Sequence, residues 1–166
     1  METVAVSPDG RNAIRLFEHP LSFEVTRDGV TVVARSEIGL HLAGETLSTS
    51  GRIARLTRGA YEGTAASPVY KKASVDLSGC WLYADYGDWG VRLVARDDGV
   101  AYRFETRKDG KVTVLGETSS LVLPDPEARC WATFTKSAGC EESVPQAAAV
   151  KDVRTDGGDR DRKSVV

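Results

Sequence analysis

Apolar and polar positions alternate with a period of two along much of this chain. From Trp89 to Arg96, Val91, Leu93 and Ala95 alternate with Arg92, Val94 and Arg96, and beyond Asp97-Asp98-Gly99 the series Val100, Tyr102, Phe104 alternates with Ala101, Arg103, Glu105. Such alternation marks half-buried strands. Asp-Gly supplies the positive backbone dihedral that a tight hairpin uses. Leu21, Phe23 and Val25 form a second inward series, and Arg27-Asp28-Gly29 turns the chain into Val30 to Ala34. A third pair, Asp109-Gly110, separates Phe104 to Arg107 from Val112 to Leu115. Three hairpins of one type predict an all-β protein, an antiparallel β-sandwich. Phe23, Val25, Leu93, Tyr102 and Phe104 are the expected buried positions.

The remaining segments fit this scheme. Val4 to Val6 and Ala13 to Phe17 read as strands around a Pro8-Asp9-Gly10 turn, and Leu47 and Ile53 to Leu56 as short edge strands. Tyr61 to Pro68 has the composition of a loop. Val69 to Val75 reads as a strand whose Lys71 and Lys72 guard a sheet edge. Trp81 to Tyr86 precedes the central pair of strands, Leu121 to Leu123 ends at Pro124-Asp125-Pro126, and Trp131 to Phe134 is the last strand. Gln146 to Val150 is alanine-rich but short for a helix.

Composition narrows the class. The chain has 166 residues, 41% apolar and 28% charged, enough for one domain with a core. A net charge of −2 gives no electrostatic reason to expect nucleic acid. No window reaches the apolar length of a membrane-spanning helix, and Met1-Glu2-Thr3-Val4 lacks the basic and apolar regions of a signal peptide. Cys80, Cys130 and Cys140 include no C-x-x-C pair, which argues against zinc; free thiols are favoured over a Cys130–Cys140 disulfide.

Three segments together resemble a known domain. Asp98-Gly99-Val100-Ala101-Tyr102-Arg103-Phe104, Ser36-Glu37-Ile38-Gly39-Leu40 and Ser7-Pro8-Asp9-Gly10 are similar, in order and spacing, to signatures of the N-terminal domain of glycoside hydrolase family 97. The resemblance implies an incomplete super-sandwich of the galactose-mutarotase-like type over residues 4–150. It implies a non-catalytic part of an exo-acting α-glucosidase or α-galactosidase, with its catalytic carboxylates in a (β/α)8 barrel that has no counterpart here. The implied partner is that barrel in the same polypeptide, and the full-length family enzymes are periplasmic or secreted. The family domain also lends a glutamate to a calcium ion at the barrel mouth. The matching residue here is Glu141, after Trp131, although both aromatic positions of the family segment are changed around Cys140-Glu141-Glu142-Ser143-Val144. For the chain alone no cofactor and no catalytic residue are expected.

Other candidates have plainer readings. Glu24, Asp28, Asp85, Asp88, Asp97, Asp98, Glu105 and Glu117 fall mostly at turns or outward strand positions, where a pair acting on a glycosidic bond is disfavoured. His19 and His41 stand near no nucleophile motif. Trp81, Tyr83, Tyr86, Trp89 and Tyr102 form an aromatic concentration, read first as core filling between sheets and second as a sugar-stacking surface. Arg103 is expected to pair with a carboxylate on a neighbouring strand. From Lys151 the alternating charges around Gly157-Gly158 predict a disordered tail over 151–166, as at the end of a truncated reading frame. A free-standing carbohydrate-binding sandwich and a structural interaction domain remain the alternatives.

Overall fold

The computed structural model describes residues 3–48, 52–67, 71, 73–132 and 146–152. Contacts divide the chain into two units, Met1–Val122 and Leu123–Val166.

The first unit carries two antiparallel sheets. The larger contains β1 (Val4–Val6), β2 (Asn12–Glu18), β3 (Leu21–Arg27), β4 (Val30–Leu42), β5 (Glu45–Leu47) and, much later in the chain, β12 (Val114–Ser119). Its order is β1-β2-β3-β4-β12, with β5 also on β4. The smaller has the order β11-β10-β9-β6, built from β6 (Arg55–Tyr61), β9 (Gly79–Asp85), β10 (Trp89–Arg96) and β11 (Gly99–Thr106). A two-stranded ribbon joins β7 (Thr64–Ala66) to β8 (Ser74–Asp76). The second unit holds β13 (Arg129–Ala132) paired with β14 (Gln146–Ala149), followed by a 3₁₀ turn over Val150–Asp152.

The period-two pattern translates directly into two faces. Val91, Leu93 and Ala95 are fully buried, as are Leu82 and Ala84 on β9, and they meet Ile14, Leu16, Phe23, Val25 and Ile38 of the larger sheet in one core. β9 and β10 lie over β1, and β10 and β11 over β2. Phe23, Val25 and Leu93 are buried as expected, whereas Tyr102 and Phe104 are only half-buried and pack against the core from its edge. β11 is the last strand of its sheet, and no strand pairs beyond it among the described residues.

Two hairpins form as expected. β3 and β4 pair across Asp28-Gly29, both with positive φ (51° and 78°). β10 and β11 pair from Trp89↔Thr106 to Arg96↔Gly99, which leaves Asp97-Asp98 as the turn. Gly99 is therefore a strand residue, and it is not among the residues of positive φ. Asp109-Gly110 does not make a hairpin. Gly110 does turn with φ 84°, but β11 and β12 belong to different sheets, so the segment between them crosses over. A turn dipeptide fixes local backbone, not the destination of the next strand.

Weakly patterned segments shifted more. β6 is seven residues long and pairs with the whole of β9, where only a short edge strand at Ile53 to Leu56 was expected. Thr64–Ala66, expected as loop, is β7, and its partner β8 begins at Ser74 rather than Val69. Lys71 lies outside that strand, and Lys72 outside the described residues. Gln146–Ala149 is strand, held by β13 rather than by its own propensity.

Candidate functional site

The outward face of the four-stranded sheet is the most organised polar surface of the first unit. Cross-strand register puts Trp81 beside Gly59, Tyr83 beside Arg92 and Thr57, and Arg92 beside Arg103. These residues alternate with the core-facing set, so Trp81 and Tyr83 point away from the core. Core filling, the first reading of the aromatic concentration, therefore holds for Trp89, Tyr86 and Tyr102 but fails for these two. Periodicity alone does not reveal this, because both faces of β9 carry large apolar residues.

Glycines let the two rings lie flat. A Cβ on Gly59 would stand 2.5 Å from Trp81 Cζ2, and one on Gly90 would stand 2.4 Å from Tyr83 Cζ. The Arg92 guanidinium lies over both rings, 4.6 Å from the Trp81 centroid and 5.1 Å from that of Tyr83, a favourable cation–π geometry. It also donates through Nε and Nη2 to Glu105, at 2.5 and 3.1 Å. Glu105 accepts a further bond from Arg103 Nε at 2.8 Å. Arg103 thus pairs with a carboxylate of its own strand, not a neighbouring one. Arg92, and to a lesser degree Arg103, hold the Glu105 carboxyl below its ordinary range.

Asp85 closes the end of this face. It is 4% exposed and accepts from Arg107 Nη2 at 2.7 Å and from Gly87 N–H at 2.9 Å, with Arg55 at 3.6 Å. Arg107 chiefly, and then the Gly87 N–H, lower its pKa. Both carboxylates are thus ionised and bound by arginines. A general acid on a glycosidic bond needs a raised pKa instead.

The other candidates have structural partners. Asp97 accepts the Asp9 N–H at 3.0 Å, Asp28 forms a bidentate pair with Arg11, and Glu117 accepts from the Tyr102 hydroxyl at 3.1 Å. His41 contacts Thr46 and Thr118 through its two ring nitrogens. Tyr86 stacks on Trp89 at 4.3 Å, and burial raises its pKa. A cleft of about 170 Å³ lined by Thr3, Glu18, Ile53, Ala54, Arg55 and Leu56 gathers none of the aromatic residues. In the second unit Trp131 is 58% exposed, and the Cys130 thiol donates to the Ala148 carbonyl at 3.4 Å. Glu141, Glu142 and Cys140 lie outside the described residues. No group of three metal-ligating side chains occurs among the described residues.

Two of the three segments that carry the resemblance meet at one end of the sandwich, and the third anchors β4. Ser7 to Gly10 forms the β1–β2 turn and bonds the turn preceding Gly99, while Ser36 in β4 donates to the Ala34 carbonyl at 2.7 Å and accepts the Val122 N–H at 2.9 Å.

Comparison with known proteins agrees with this. The chain is 35% identical over 129 residues to a Streptomyces bingchenggensis (strain BCW-1) protein named "Probable retaining alpha-galactosidase", covering 75% of this chain and 20% of that protein. A family 97 glycoside hydrolase from Pseudoalteromonas sp. strain K8, solved with acarbose, superposes with a TM-score of 0.76 at 18% identity, over 90% of this chain and 25% of that one. A solved beta-arabinopyranosidase superposes with a TM-score of 0.77 at 18% identity, over 93% of this chain and 28% of its own. The chain thus spans between a fifth and three-tenths of these relatives. Residues 5–162 match the model described as Glycosyl-hydrolase 97 N-terminal, and the chain belongs to that family.

Proposed function

We propose that this chain is the non-catalytic N-terminal sandwich of an exo-acting α-glycosidase, and that it packs on and shapes the active-site mouth of a (β/α)8 barrel in the same polypeptide. The observation that carries this reading is the match of nearly the whole chain to an N-terminal family model while it spans only 20% of an α-galactosidase-like relative. The tied carboxylates Asp85 and Glu105 support a structural rather than a catalytic role. In this reading, calcium belongs to the assembled enzyme. Glu141 would supply one of the several hard oxygens that calcium takes, and the barrel the others. Secretion or export to the periplasm belongs to the same proposal.

The arrangement of aromatics favours this over a free-standing sugar-binding module. Trp89 and Tyr83 are buried, Trp81, Tyr86 and Tyr102 are half-buried, and the Trp81 ring is covered by Arg92. A stacking platform would expose several faces in a row.

The test has two parts. The purified chain should turn over neither nitrophenyl α-galactoside nor α-glucoside. In sedimentation it should form a one-to-one complex with the separately produced barrel of a family 97 enzyme. Turnover that survives stringent purification and vanishes in a point variant of this chain would overturn the reading, as would failure to bind any such barrel.

A further inference from the structure

Aspartate followed by glycine carries a chemistry of its own. The aspartate carboxyl stands within reach of the next backbone nitrogen, and glycine, with no Cβ, neither shields that nitrogen nor restricts the turn the reaction needs. Four such pairs occur among the described residues: Asp9-Gly10, Asp28-Gly29, Asp98-Gly99 and Asp109-Gly110. The fold restrains three of them. Oδ1 of Asp9 accepts from Ser7 Oγ at 2.6 Å and from the Arg11 N–H at 3.0 Å, while the Gly10 N–H donates to the Ser7 carbonyl at 2.9 Å. Both carboxylate oxygens of Asp28 are clamped by Arg11, at 2.8 and 2.9 Å. Gly99 is held in the β10–β11 ladder opposite Arg96, whose Nε lies 3.2 Å from Asp98 Oδ1. The Ser7 bond chiefly for Asp9, and the Arg11 bond for Asp28, also lower the carboxyl pKa. They favour the ionised form, the poorer electrophile.

Asp109-Gly110 has no such restraint. Both residues are exposed, and they lie outside every strand. Among the described residues Asp109 has no hydrogen-bond or ion-pair partner, and the Gly110 N–H donates to none. Gly110 has φ 84°, and a Cβ built on it would meet nothing within 4 Å, so a ring closing at this point has room. The flanks, by contrast, are fastened. The Arg107 N–H donates to the Asp88 carbonyl at 2.8 Å, Lys108 Nζ lies 2.5 Å from Glu45, and the Thr113 carbonyl accepts the Ala43 N–H at 3.0 Å. The unrestrained stretch is therefore confined to the middle of the crossover from the smaller sheet to the larger one.

We propose that Asp109 is a site of spontaneous isoaspartate formation in the folded chain, and that the fold protects the other three pairs from the same reaction. The Gly110 nitrogen attacks Cγ of the protonated Asp109 carboxyl. A nitrogen–carbon bond forms, the carboxyl OH and the amide proton leave as water, and a five-membered succinimide closes. Solvent water then adds to one of the two ring carbonyls. Opening at the side-chain carbonyl restores aspartate. Opening at the former backbone carbonyl leaves the main chain running through Cβ, with a free α-carboxylate. No oxidant, reductant or cofactor enters. The product carries one extra backbone atom between the fastened positions Lys108 and Thr113, in an exposed loop of the kind that tolerates insertion. Both sheets therefore keep their pairing. The modified residue is a substrate of the class that S-adenosylmethionine-dependent isoaspartyl carboxyl methyltransferases accept.

The test ages the full chain in neutral buffer made with heavy-oxygen water, one sample folded and a parallel one unfolded in urea. Cleavage after glutamate places the four pairs in separate peptides, 3–18, 25–37, 63–105 and 106–117. Isoaspartate in each is read by enzymatic methyl labelling and by uptake of heavy oxygen. In the folded sample, peptide 106–117 should gain both labels at least tenfold faster than the other three. In urea the four rates should converge, because the restraints on Asp9, Asp28 and Asp98 are gone. Arg11→Ala should raise labelling of 25–37 in the folded chain and leave 106–117 unchanged. Asp109→Glu should abolish labelling of 106–117, since glutamate would have to close a six-membered ring. An unlabelled 106–117, equal labelling of all four peptides in the folded chain, or a preference for 106–117 that persists undiminished in urea would overturn the proposal.

Discussion

The backbone N–H of Asp9 donates to Oδ1 of Asp97 across 3.0 Å, joining the first turn of the larger sheet to the central hairpin of the smaller one. Asn12 completes the latch. Its Nδ2 donates to the carbonyls of Arg96 at 2.8 Å and Asp97 at 3.1 Å, and its Oδ1 accepts from Arg27 at 2.9 Å. Two segments distant in sequence are thus held at one end of the sandwich by a residue only 4% exposed. Asn12→Ala removes the donor to two partly buried carbonyls and leaves Arg27 without its acceptor. The expected loss is about 1–3 kcal/mol, read as a lower urea midpoint at unchanged slope. A loss near zero would mean that water replaces the amide without cost.

Glycine substitutions should separate close approach from open space. At Gly90 a Cβ meets Tyr83 Cζ and Oη at 2.4 Å and the Ala84 carbonyl oxygen at 2.6 Å; backbone cannot swing aside as a ring can. At Gly59 the three nearest atoms all belong to the Trp81 ring, whereas Gly99 has nothing within 4 Å and no positive φ. Gly90→Ala should cost about 1–3 kcal/mol, as other overpacking changes do. Gly59→Ala should cost less but shift tryptophan fluorescence as the ring lifts, and Gly99→Ala should be close to neutral. Thermal unfolding of the three variants checks the order. Equal effects at Gly90 and Gly99 would contradict the geometry.

Much of the fold was legible because inward and outward residues differ so sharply in β2, β3 and β10. Asp28-Gly29 was legible for a local reason, since both residues need positive φ. The fate of Asp109-Gly110 was not. The same dipeptide serves a crossover there, and only the pairing of β12 with β4, some seventy residues earlier in the chain, decides it. The outward Trp81 and Tyr83 were equally hidden. Their place depends on Gly59 and Gly90, which lie on the neighbouring strands β6 and β10 and look like weak strand residues in the sequence. Arg92 carried no signal of its own, being one of several alternating arginines, although it organises the face.

Truncations in the core should grade with depth. Leu93 is fully buried between the sheets, while Phe104, with its ring 6.1 Å from Trp89 and 6.3 Å from Tyr102, is only half-buried. Leu93→Ala should therefore cost about 2–5 kcal/mol. Phe104→Ala should fall below the roughly 3–5 kcal/mol typical of a fully buried phenylalanine. If Phe104→Ala proves the costlier change in denaturant titrations, the edge of β11 is covered in solution by something that the larger sheet alone does not supply.

Acid should unfold the protein partly through Asp85 and Glu105. Both have folded pKa values lowered by arginine partners, Arg107 for Asp85 and Arg92 followed by Arg103 for Glu105. A depressed folded pKa means that the unfolded chain takes up the proton first. The stabilisation is thus fully present above the unfolded values, near 4 for both carboxyl types, and is lost as pH falls through the lower folded values. The urea midpoint attributable to these groups should stay level from pH 7 to about 5 and decline below that. Glu105→Gln keeps the shape of the side chain but not its charge. It should lower the midpoint at pH 7, where Arg92 loses its counter-charge, and flatten the acid decline. Asp85→Asn should do the same while still accepting the Gly87 N–H. Arg103→Ala should change the profile little, because Arg92 still holds Glu105 through two bonds. Midpoint measurements across this range decide the matter: an acid decline as steep in both carboxylate variants as in the parent chain would place the titrating groups elsewhere.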